Sequence, residues 1–328
     1  MRKPVIISIG DPSGIGPEIS LKAVHILNRQ MPHIPFVLAG DAQVIERVRK
    51  ATGLDMRYCM WHPGEEIRRG NFGLVSPDII KSGDFPVGAP NRICGQASYA
   101  YLKIAWETMS AGHACALVTA PISKTAWRLE GIDYTGHTEA LQALSGDRVE
   151  MLMVAGRIMA VLVTTHIPLC EIWKVLSVQR IADATILACR FLQRHGCAVE
   201  PICVCALNPH AGESGSMGRE EIEIIAPAVR AINEAGFRAE GPIPADSAFR
   251  IAAQGIYKLV VSLYHDQALI PLKMSSFQNL VNVSANSGAW IRTSPGHGTA
   301  FDIAYTGKAD SSSMVEAIKV GLRLSGAA

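Results

Sequence analysis

The chain has 328 residues, of which 48% are hydrophobic and only 18% are charged, and its formal net charge is +2. This length predicts two domains of about 100–200 residues each, and the small net charge without a Lys/Arg run argues against nucleic-acid binding. No apolar run reaches the about 18–20 residues of a membrane span, and the first apolar run is too short for a signal peptide. Eight cysteines without a C-x-x-C pair indicate free thiols in a reducing cytosol, so a cytoplasmic protein without membrane contact is expected. The low charged fraction also predicts a homodimer.

Strand-like and helix-like segments alternate along the chain. The strand candidates are residues 5–10, 36–40, 115–120, 149–155, 159–165, 201–207 and 258–264, several of them apolar throughout. The helix candidates are residues 16–30, 95–112, 177–196 and 217–236, with Ser177 as a possible N-cap and Pro227 as an expected kink. This alternation predicts an α/β fold with a largely parallel sheet.

Three of the predicted strands stop at a histidine. "VLVTTH" ends at His166, "ICVCALNPH" at His210 and "LVVSLYH" at His265. Ligands of open α/β folds bind beyond the carboxyl ends of strands, and three imidazoles are a common ligand set for Zn²⁺. The three could be unrelated, but their shared pattern favours a metal site. Asp266 could orient the His265 ring or face solvent.

Two glycine-containing segments are candidates for anion binding. "GDPSGIGPE" follows the first strand but fits neither G-x-G-x-x-G nor a P-loop, so a tight turn explains it as well as an anion site does. "YTGHTEAL" places His137 and Thr138 at a helix start, where Thr138 can cap the helix and free N–H groups suit a phosphate or carboxylate. Lys273 and Arg292, which follow His265 in the chain, would add two cations.

Taken together, the motifs resemble the 4-hydroxythreonine-4-phosphate dehydrogenase family of pyridoxal phosphate (pyridoxine) biosynthesis. They are "GDPSGIGPEI", "TAPISK", "YTGHTE", "TTHIPL", "LNPHAGE", "GPIPADSAF", "YHDQALIPLK" and "IRTSPGHGTAFDIA", and they run in order over nearly the whole chain. The resemblance implies an isocitrate/isopropylmalate dehydrogenase-like fold of two α/β/α domains with a cleft between them. We expect residues 1–135 with 290–328 in the first domain, and residues 136–289 in the second domain with most metal and substrate ligands.

The resemblance also implies a chemistry and a role for individual residues. The expected reaction is the NAD-dependent oxidation of the secondary alcohol of a phosphorylated hydroxy acid, followed by decarboxylation of the β-keto acid. NADP is a second possible cofactor, and the divalent metal is expected to be zinc, with magnesium, manganese or cobalt as alternatives; no cofactor-binding residue is assigned. The metal ligands are His166, His210 and His265, shared across a homodimer interface; the substrate-binding residues are His137, Thr138, Lys273, Asn282 and Arg292; Asp246 and Lys273 are the catalytic candidates.

One segment departs from the pattern of the biosynthetic enzymes. "VNVSANSGAWIRTSPGHGTA" (281–300) has one extra residue between Asn282 and Arg292, and Gly296 stands where the family usually has Asp. A Gly-His-Gly here resembles relatives that oxidise other diols, so the substrate could be a 4-phosphorylated threonate or erythronate. The alternative is a non-phosphorylated diol such as an aromatic cis-dihydrodiol. A zinc-dependent lyase or hydrolase is a more remote alternative, because a three-histidine metal site also activates water.

Overall fold

A computed structural model describes residues 2–83 and 85–327 of the chain, the side chain of Phe277 excepted. The chain forms two compact units: unit 1 comprises Met1–Gly146 with Trp290–Ala328, and unit 2 comprises Asp147–Ala289. The sequence-based division agrees at residue 290 but places the first boundary at 135/136. It differs there because the helix that begins at His137 packs within unit 1, where the His137 ring meets Trp127 edge-on at a centroid distance of 5.8 Å.

The strands are numbered along the chain. They are β1 (Val5–Ser8), β2 (Phe36–Ala39), β3 (Tyr58–Met60), β4 (Phe72–Val75), β5 (Ala116–Thr119), β6 (Val149–Ala155), β7 (Ile158–Leu162), β8 (Ile202–Cys205), β9 (Ala239–Ile243), β10 (Leu259–Ser262), β11 (Leu280–Asn286) and β12 (Arg292–Pro295). All seven strands predicted from the sequence are present, because each contains an apolar run that is buried in the structure.

The helices follow the same numbering. They are α1 (Gly16–Gln30), α2 (Ala42–Thr52), α3 (Arg92–Ser110), α4 (Lys124–Leu129), α5 (His137–Ser145), α6 (Ile172–Val175), α7 (Val178–Arg194), α8 (Ala226–Glu234), α9 (Ala245–Ala253), α10 (His265–Ser276) and α11 (Ser312–Leu324). The predicted Ser177 cap of α7 is confirmed, since its side chain accepts a hydrogen bond from the Arg180 N–H. The helix predicted over 217–236 is instead a π-helical turn, Glu221–Ile225, followed by α8, with Pro227 in the first turn of α8.

Unit 1 contains a parallel sheet in the order β3-β4-β2-β1-β5-β12. The central strands β1, β2 and β5 are buried along their whole length, as expected for strands covered on both faces. From β1 the chain passes through α1 to β2 on one side, and later returns through α3 to β5 on the other. The carboxyl ends of β1 and β5 therefore form a topological switch point, where ligands of such sheets usually bind.

Unit 2 contains a mixed sheet in the order β11-β6-β7-β10-β8-β9. β6 is antiparallel to both of its neighbours, whereas β7, β10, β8 and β9 are parallel. The prediction of a largely parallel sheet therefore fits unit 1 better than unit 2. Because β7, β10 and β8 are adjacent and parallel, the residues that follow them emerge at the same edge of the sheet.

Among the described residues, no helix combines the length and the apolar character that a membrane crossing requires. The buried core of unit 2 joins β7, β8 and β10 to the inner faces of α9 and α10, with Phe249 and Leu272 among its larger members. This packing fixes the strands whose ends carry the predicted metal ligands.

Candidate functional site

Two of the three strand-end histidines lie side by side in unit 2. His166 follows the end of β7 by four residues, and His265 follows the end of β10 by three and begins α10. Their ring centroids are 5.6 Å apart. His265 Nδ1 lies 2.7 Å from Asp266 Oδ1, which is the contact that orients a metal-binding imidazole when a carboxylate lies behind it. This pairing of two imidazoles follows from the adjacent, parallel β7 and β10.

His210 lies on a turn of unusual backbone conformation. The five residues 210–214 all have positive φ, from 41° at Glu213 to 74° at Gly212. For non-glycine residues this left-handed region costs energy, and such strain concentrates at functional sites. The His210 side chain is 74% exposed, and its Nδ1 lies 3.3 Å from Glu213 Oε1.

The structure thus brings His166 and His265 together, while the His210 ring points to its own turn. In residues 2–83 and 85–327 no group of three or more His, Cys, Asp and Glu side chains is already arranged to hold a metal ion. The three-histidine site therefore stays a prediction. Its donors would be the adjacent imidazoles of His166 and His265 and the imidazole of His210, which follows the neighbouring strand β8.

The other predicted residues of unit 2 lie on α9, α10 and β11. Asp246 is exposed in the first turn of α9, and Lys273 is exposed in the last turn of α10. Asn282 is half-buried on β11, in register with Met153 of β6. Their roles in catalysis and substrate binding remain predictions.

A second cluster of predicted residues lies within unit 1. Arg292, on β12, is only 2% exposed, and its Nε and Nη2 donate to Thr119 Oγ1 at 3.0 and 2.6 Å. Thr119 ends β5, the parallel neighbour of β12. Burial lowers the pKa of the Arg292 guanidinium to about 9, although the Glu139 carboxylate acts in the opposite direction. The guanidinium is therefore still a cation at pH 7, in a place with little water.

His137, the first residue of α5, belongs to the same cluster. Its Nε2 is buried and has no hydrogen-bond partner. Burial and then the nearby Arg292 cation hold the pKa of His137 well below its ordinary value, so the imidazole is neutral at pH 7. In the tautomer that is protonated at Nε2, the neutral ring can donate to an anionic ligand that also binds the dehydrated Arg292 cation.

Thr138 lies next to His137, but its predicted role as a helix cap is wrong. Gly136 takes the N-cap position of α5, and no side chain caps the helix. The first N–H groups of α5 are therefore left to other acceptors, which keeps this helix start suited to an anion.

The glycine-rich segment after β1 has a structural explanation. A Cβ atom on Gly10 would lie 2.3 Å from the Pro121 carbonyl oxygen, and one on Gly16 would lie 2.4 Å from the Ile9 oxygen. Asp11 is fully buried, accepts hydrogen bonds from Ser13 N and Oγ, and has its pKa raised by desolvation. Of the two interpretations of this segment, the close packing supports the tight turn.

The carboxyl end of β2 carries an acidic residue, as it does in many dinucleotide-binding sheets. This residue, Asp41, is fully buried and accepts hydrogen bonds from Tyr101 Oη, Ser76 Oγ and the N–H groups of Ile79 and Ile80. Because these donors occupy both carboxylate oxygens, Asp41 holds the 76–80 segment in place. Its carboxylate is therefore not available to bind the ribose hydroxyl of a dinucleotide.

Thr119 opens the "TAPISK" motif, but no local pattern linked it to Arg292, and none marked Trp127. A threonine at the end of a strand and a tryptophan in a short helix are common, and only the fold brings them to Arg292 and His137. Trp127 is fully buried, with its indole N–H donating to Ser98 Oγ at 2.8 Å.

A cavity of about 400 Å³ also lies in unit 1, but none of the predicted site residues line it. Its cations are Arg2, Lys3, Arg68 and Arg69, and its wall includes residues just beyond the C-terminal ends of α1 and α3. Positive side chains close to helix C-termini interact favourably with the negative end of the helix dipole, so their presence does not by itself indicate a ligand.

Comparison with known proteins places these features in one family. Residues 32–321 match the family described as pyridoxal phosphate biosynthetic protein PdxA. The chain is 38% identical to the D-threonate 4-phosphate dehydrogenase of Salmonella typhimurium over 98% of this chain and 99% of that protein. Among solved structures, a 4-hydroxythreonine-4-phosphate dehydrogenase from Klebsiella pneumoniae is 34% identical, with a TM-score of 0.89 over 99% of this chain and 98% of that chain.

A terephthalate 1,2-cis-dihydrodiol dehydrogenase from Burkholderia xenovorans LB400 is 31% identical, with a TM-score of 0.66 over 99% of both chains. The predicted fold class is confirmed, because the two units match dehydrogenases with an isocitrate dehydrogenase-like fold. By sequence match over most of its length and by fold, the chain belongs to the PdxA family of 4-hydroxythreonine-4-phosphate dehydrogenases.

Proposed function

We propose that the chain is a cytoplasmic, divalent-metal-dependent dehydrogenase that uses NAD⁺ to oxidise the secondary alcohol of a phosphorylated hydroxy acid. The substrate class is 4-phosphohydroxy-L-threonine or a 4-phosphorylated threonate or erythronate. The observation that carries the proposal is the buried Arg292 cation beside the unpartnered Nε2 of His137. It is supported by relatives named for phosphorylated hydroxy acids.

The phosphate would be bound by groups of unit 1. Arg292 offers a guanidinium whose fork matches two phosphate oxygens, and Thr119 holds part of that fork by accepting from Nε and Nη2. His137 can donate from its neutral ring, and the uncapped start of α5 at Thr138 adds N–H groups. A dianionic phosphate would repay the desolvation of Arg292 more fully than a neutral hydroxyl could.

The metal ion would be held by His166, His210 and His265, with Zn²⁺ as the first choice. His166 and His265 fit this role because their rings are adjacent and Asp266 can fix the tautomer of His265. A bound divalent cation would supply Lewis acidity for the reacting oxygen. Asp246 and Lys273 are proposed to handle protons, and Lys273 and Asn282 to contact the substrate.

NAD⁺ is the only oxidant that the proposed reaction needs. The alcohol carbon gives a hydride to NAD⁺ and its hydroxyl gives a proton to a base of the protein, which yields a ketone and NADH. If a carboxylate lies β to that ketone, loss of CO₂ leaves an enolate, and a proton returned by an acid of the protein completes the product. An ionisable side chain such as Asp246 or Lys273 could serve these proton transfers.

A homodimer is proposed from the distribution of exposed apolar side chains. Among the described residues, three large exposed hydrophobic side chains lie in unit 1 and nine in the smaller unit 2, including Leu169 (71% exposed), Trp173 (58%) and Met274 (84%). Exposed apolar area of this kind usually marks an interface. Light scattering that finds only a species of the chain mass, 35.2 kDa, would contradict the dimer.

The alternative substrate is a non-phosphorylated diol, which the similarity to the terephthalate dihydrodiol dehydrogenase favours. A panel of phosphorylated hydroxy acids and of carboxylated and plain dihydrodiols, each with NAD⁺ and NADP⁺, separates the two by NADH or NADPH absorbance. We expect turnover of a phosphorylated acid with NAD⁺. Efficient turnover of a dihydrodiol with no response to any phosphorylated acid would overturn the phosphate assignment. The same panel would distinguish a biosynthetic from a catabolic role.

A further inference from the structure

Two of the strand ends that carry the histidines of unit 2 are joined by a buried hydroxyl. Thr164 Oγ1 donates to the carbonyl oxygen of Leu263 at 2.7 Å. Thr164 lies two residues before His166, and Leu263 lies two residues before His265. This hydrogen bond therefore ties the exit of β7 to the exit of β10, at the same distance along the chain from each histidine.

A buried amide continues the connection to the third strand. Gln267, which is 7% exposed, accepts from the Leu263 N–H at 2.7 Å and donates from Nε2 to the Ala206 carbonyl oxygen at 2.8 Å. Ala206 directly follows β8 and lies four residues before His210. The side chain of Gln267 thus bridges the exits of β10 and β8.

A buried carboxylate holds the next two residues on the way to His210. Glu221, only 3% exposed, accepts from the Leu207 and Asn208 N–H groups at 2.9 and 2.7 Å, and from Asn208 Nδ2 at 2.9 Å. It is the first residue of the π-helical turn Glu221–Ile225, a helix type that occurs frequently at functional sites. Asn208 immediately precedes the turn that carries His210.

These contacts serve backbone groups that would otherwise be unpaired. A parallel strand that ends leaves N–H and C=O groups without a ladder partner, and buried groups of this kind need another one. Here the partners are Thr164 at the exit of β7, Gln267 in the first turn of α10 and Glu221 in the π-helical turn. The bonds of Thr164 and Gln267 therefore also fix one strand exit relative to the next. An apolar residue could fill the same volume, but it could not fix these distances.

We propose that Thr164, Gln267 and Glu221 are positioning residues that set the exits of β7, β10 and β8, from which His166, His265 and His210 reach metal ions shared across the proposed homodimer interface. The inference rests on the proposed metal site and adds to it residues that do not touch the metal. Outer contacts of metal ligands typically contribute about 10–100-fold to metal affinity, and a similar effect is expected from this bridge.

The test measures the affinity of the full-length, metal-free protein for Zn²⁺ alone, by competition with a chromophoric chelator. The variants are Thr164→Val and Gln267→Met, which keep the volume and remove the hydrogen bonds. The matched control is Thr185→Val, a buried threonine of α7 whose hydroxyl donates to the Ile181 carbonyl at 2.8 Å within one helix. Thr164→Ser, which retains the hydroxyl, is the conservative rescue, and His210→Ala tests the metal site itself.

We expect Thr164→Val and Gln267→Met to lower Zn²⁺ affinity about 10–100-fold, with Thr185→Val and Thr164→Ser near wild type. Wild-type affinity in both bridge variants, with Zn²⁺ binding lost in His210→Ala, would overturn the positioning role and leave the metal site standing. An equal loss in Thr185→Val would also overturn it, since general destabilisation would then suffice. Unchanged affinity in His210→Ala would instead refute the proposed metal site, and the positioning role with it. If Gln267→Met does not fold, the comparison of Thr164→Val with Thr164→Ser tests the positioning role.

Discussion

The two groups of candidate residues differ in how far they are removed from water. In unit 1, Arg292 is almost fully buried and the Nε2 of His137 is closed off from solvent, so the proposed anion-binding groups are dehydrated before any ligand arrives. In unit 2, the His210 side chain is 74% exposed and the His265 side chain 35% exposed. The first group is prepared for ligand binding by desolvation. The second group is prepared by the positions of the strand ends that carry it.

This difference predicts how each group responds to substitution. Removing a buried charge changes both stability and binding, because desolvating that charge costs free energy in the folded state. Removing an exposed imidazole should leave the fold intact and affect only ligand binding. Four substitutions or conditions, taken in order of expected effect, probe the contrast.

The largest effect is expected from His210→Ala. Loss of one proposed metal ligand should lower activity by more than the about 100-fold typical of outer contacts, with little change in the free energy of unfolding. The matched control is His62→Ala in unit 1, where an equally exposed histidine lies 3.4 Å from Glu65, three residues later in the chain. Steady-state kinetics and urea unfolding check both variants, and wild-type activity of His210→Ala at saturating substrate would show that the site does not need this imidazole.

Arg292→Met is expected to come next. Losing one charge-assisted contact should lower kcat/KM for a phosphorylated substrate about 10–100-fold, and much less for a non-phosphorylated diol. The melting temperature should not fall, because methionine fills similar volume without a buried charge. Arg292→Lys keeps the charge but not the fork, so it should recover only part of the loss. An equal loss on both substrate types would contradict phosphate recognition by this side chain.

Thr119→Val tests whether the hydroxyl orients the guanidinium. The substitution removes the acceptor of two Arg292 hydrogen bonds, and kcat/KM for the phosphorylated substrate should drop up to about tenfold. Thr108→Val is the control, since its buried hydroxyl donates to the Ile104 carbonyl within α3. If the two variants lose the same amount of activity, the orienting role of Thr119 is wrong.

The smallest effect concerns the acid stability of the folded chain. Because the pKa of His137 is lowered in the folded state, the unfolded state binds the proton first as the pH falls. Above about pH 6.5, His137 therefore does not reduce the free energy of unfolding. Below that pH, its protonation in the unfolded state lowers the free energy of unfolding by up to about 1.4 kcal/mol per pH unit. Urea unfolding at pH 5 and pH 7.5 should show a smaller acid loss in His137→Asn than in wild type. Equal losses would mean that His137 protonates freely in the fold.

The sequence allowed prediction of elements whose residues are uniformly apolar, and less of those whose residues serve the site. β1, β5 and β10 were predictable because every residue of each is buried. β12 is not predictable in this way because Arg292, Thr293 and Ser294 are polar, although the fold buries all three.

The site divides in the same way. The strand-end pattern pointed to His166 and His265, which the structure brings together. It could not reveal the left-handed turn of His210, since Ala211, Glu213 and Ser214 are not residue types that favour a positive φ. The interaction of Thr119 with Arg292 spans 173 residues of chain, so no local pattern could indicate it.

The internal hydrogen bonds of Asp41 have a consequence for protein engineering. In dinucleotide-binding sheets with the usual fingerprint, the acidic residue at the second strand end selects NAD over NADP, and replacing it is the common route to switch preference. Here that carboxylate holds Tyr101 and the 76–80 segment, and each unsatisfied donor would cost about 1–3 kcal/mol. Asp41→Ser is therefore expected to yield a protein with a lower melting temperature and an unchanged coenzyme preference. If the proposed use of NAD⁺ holds, redesign toward NADP would have to begin elsewhere in the chain.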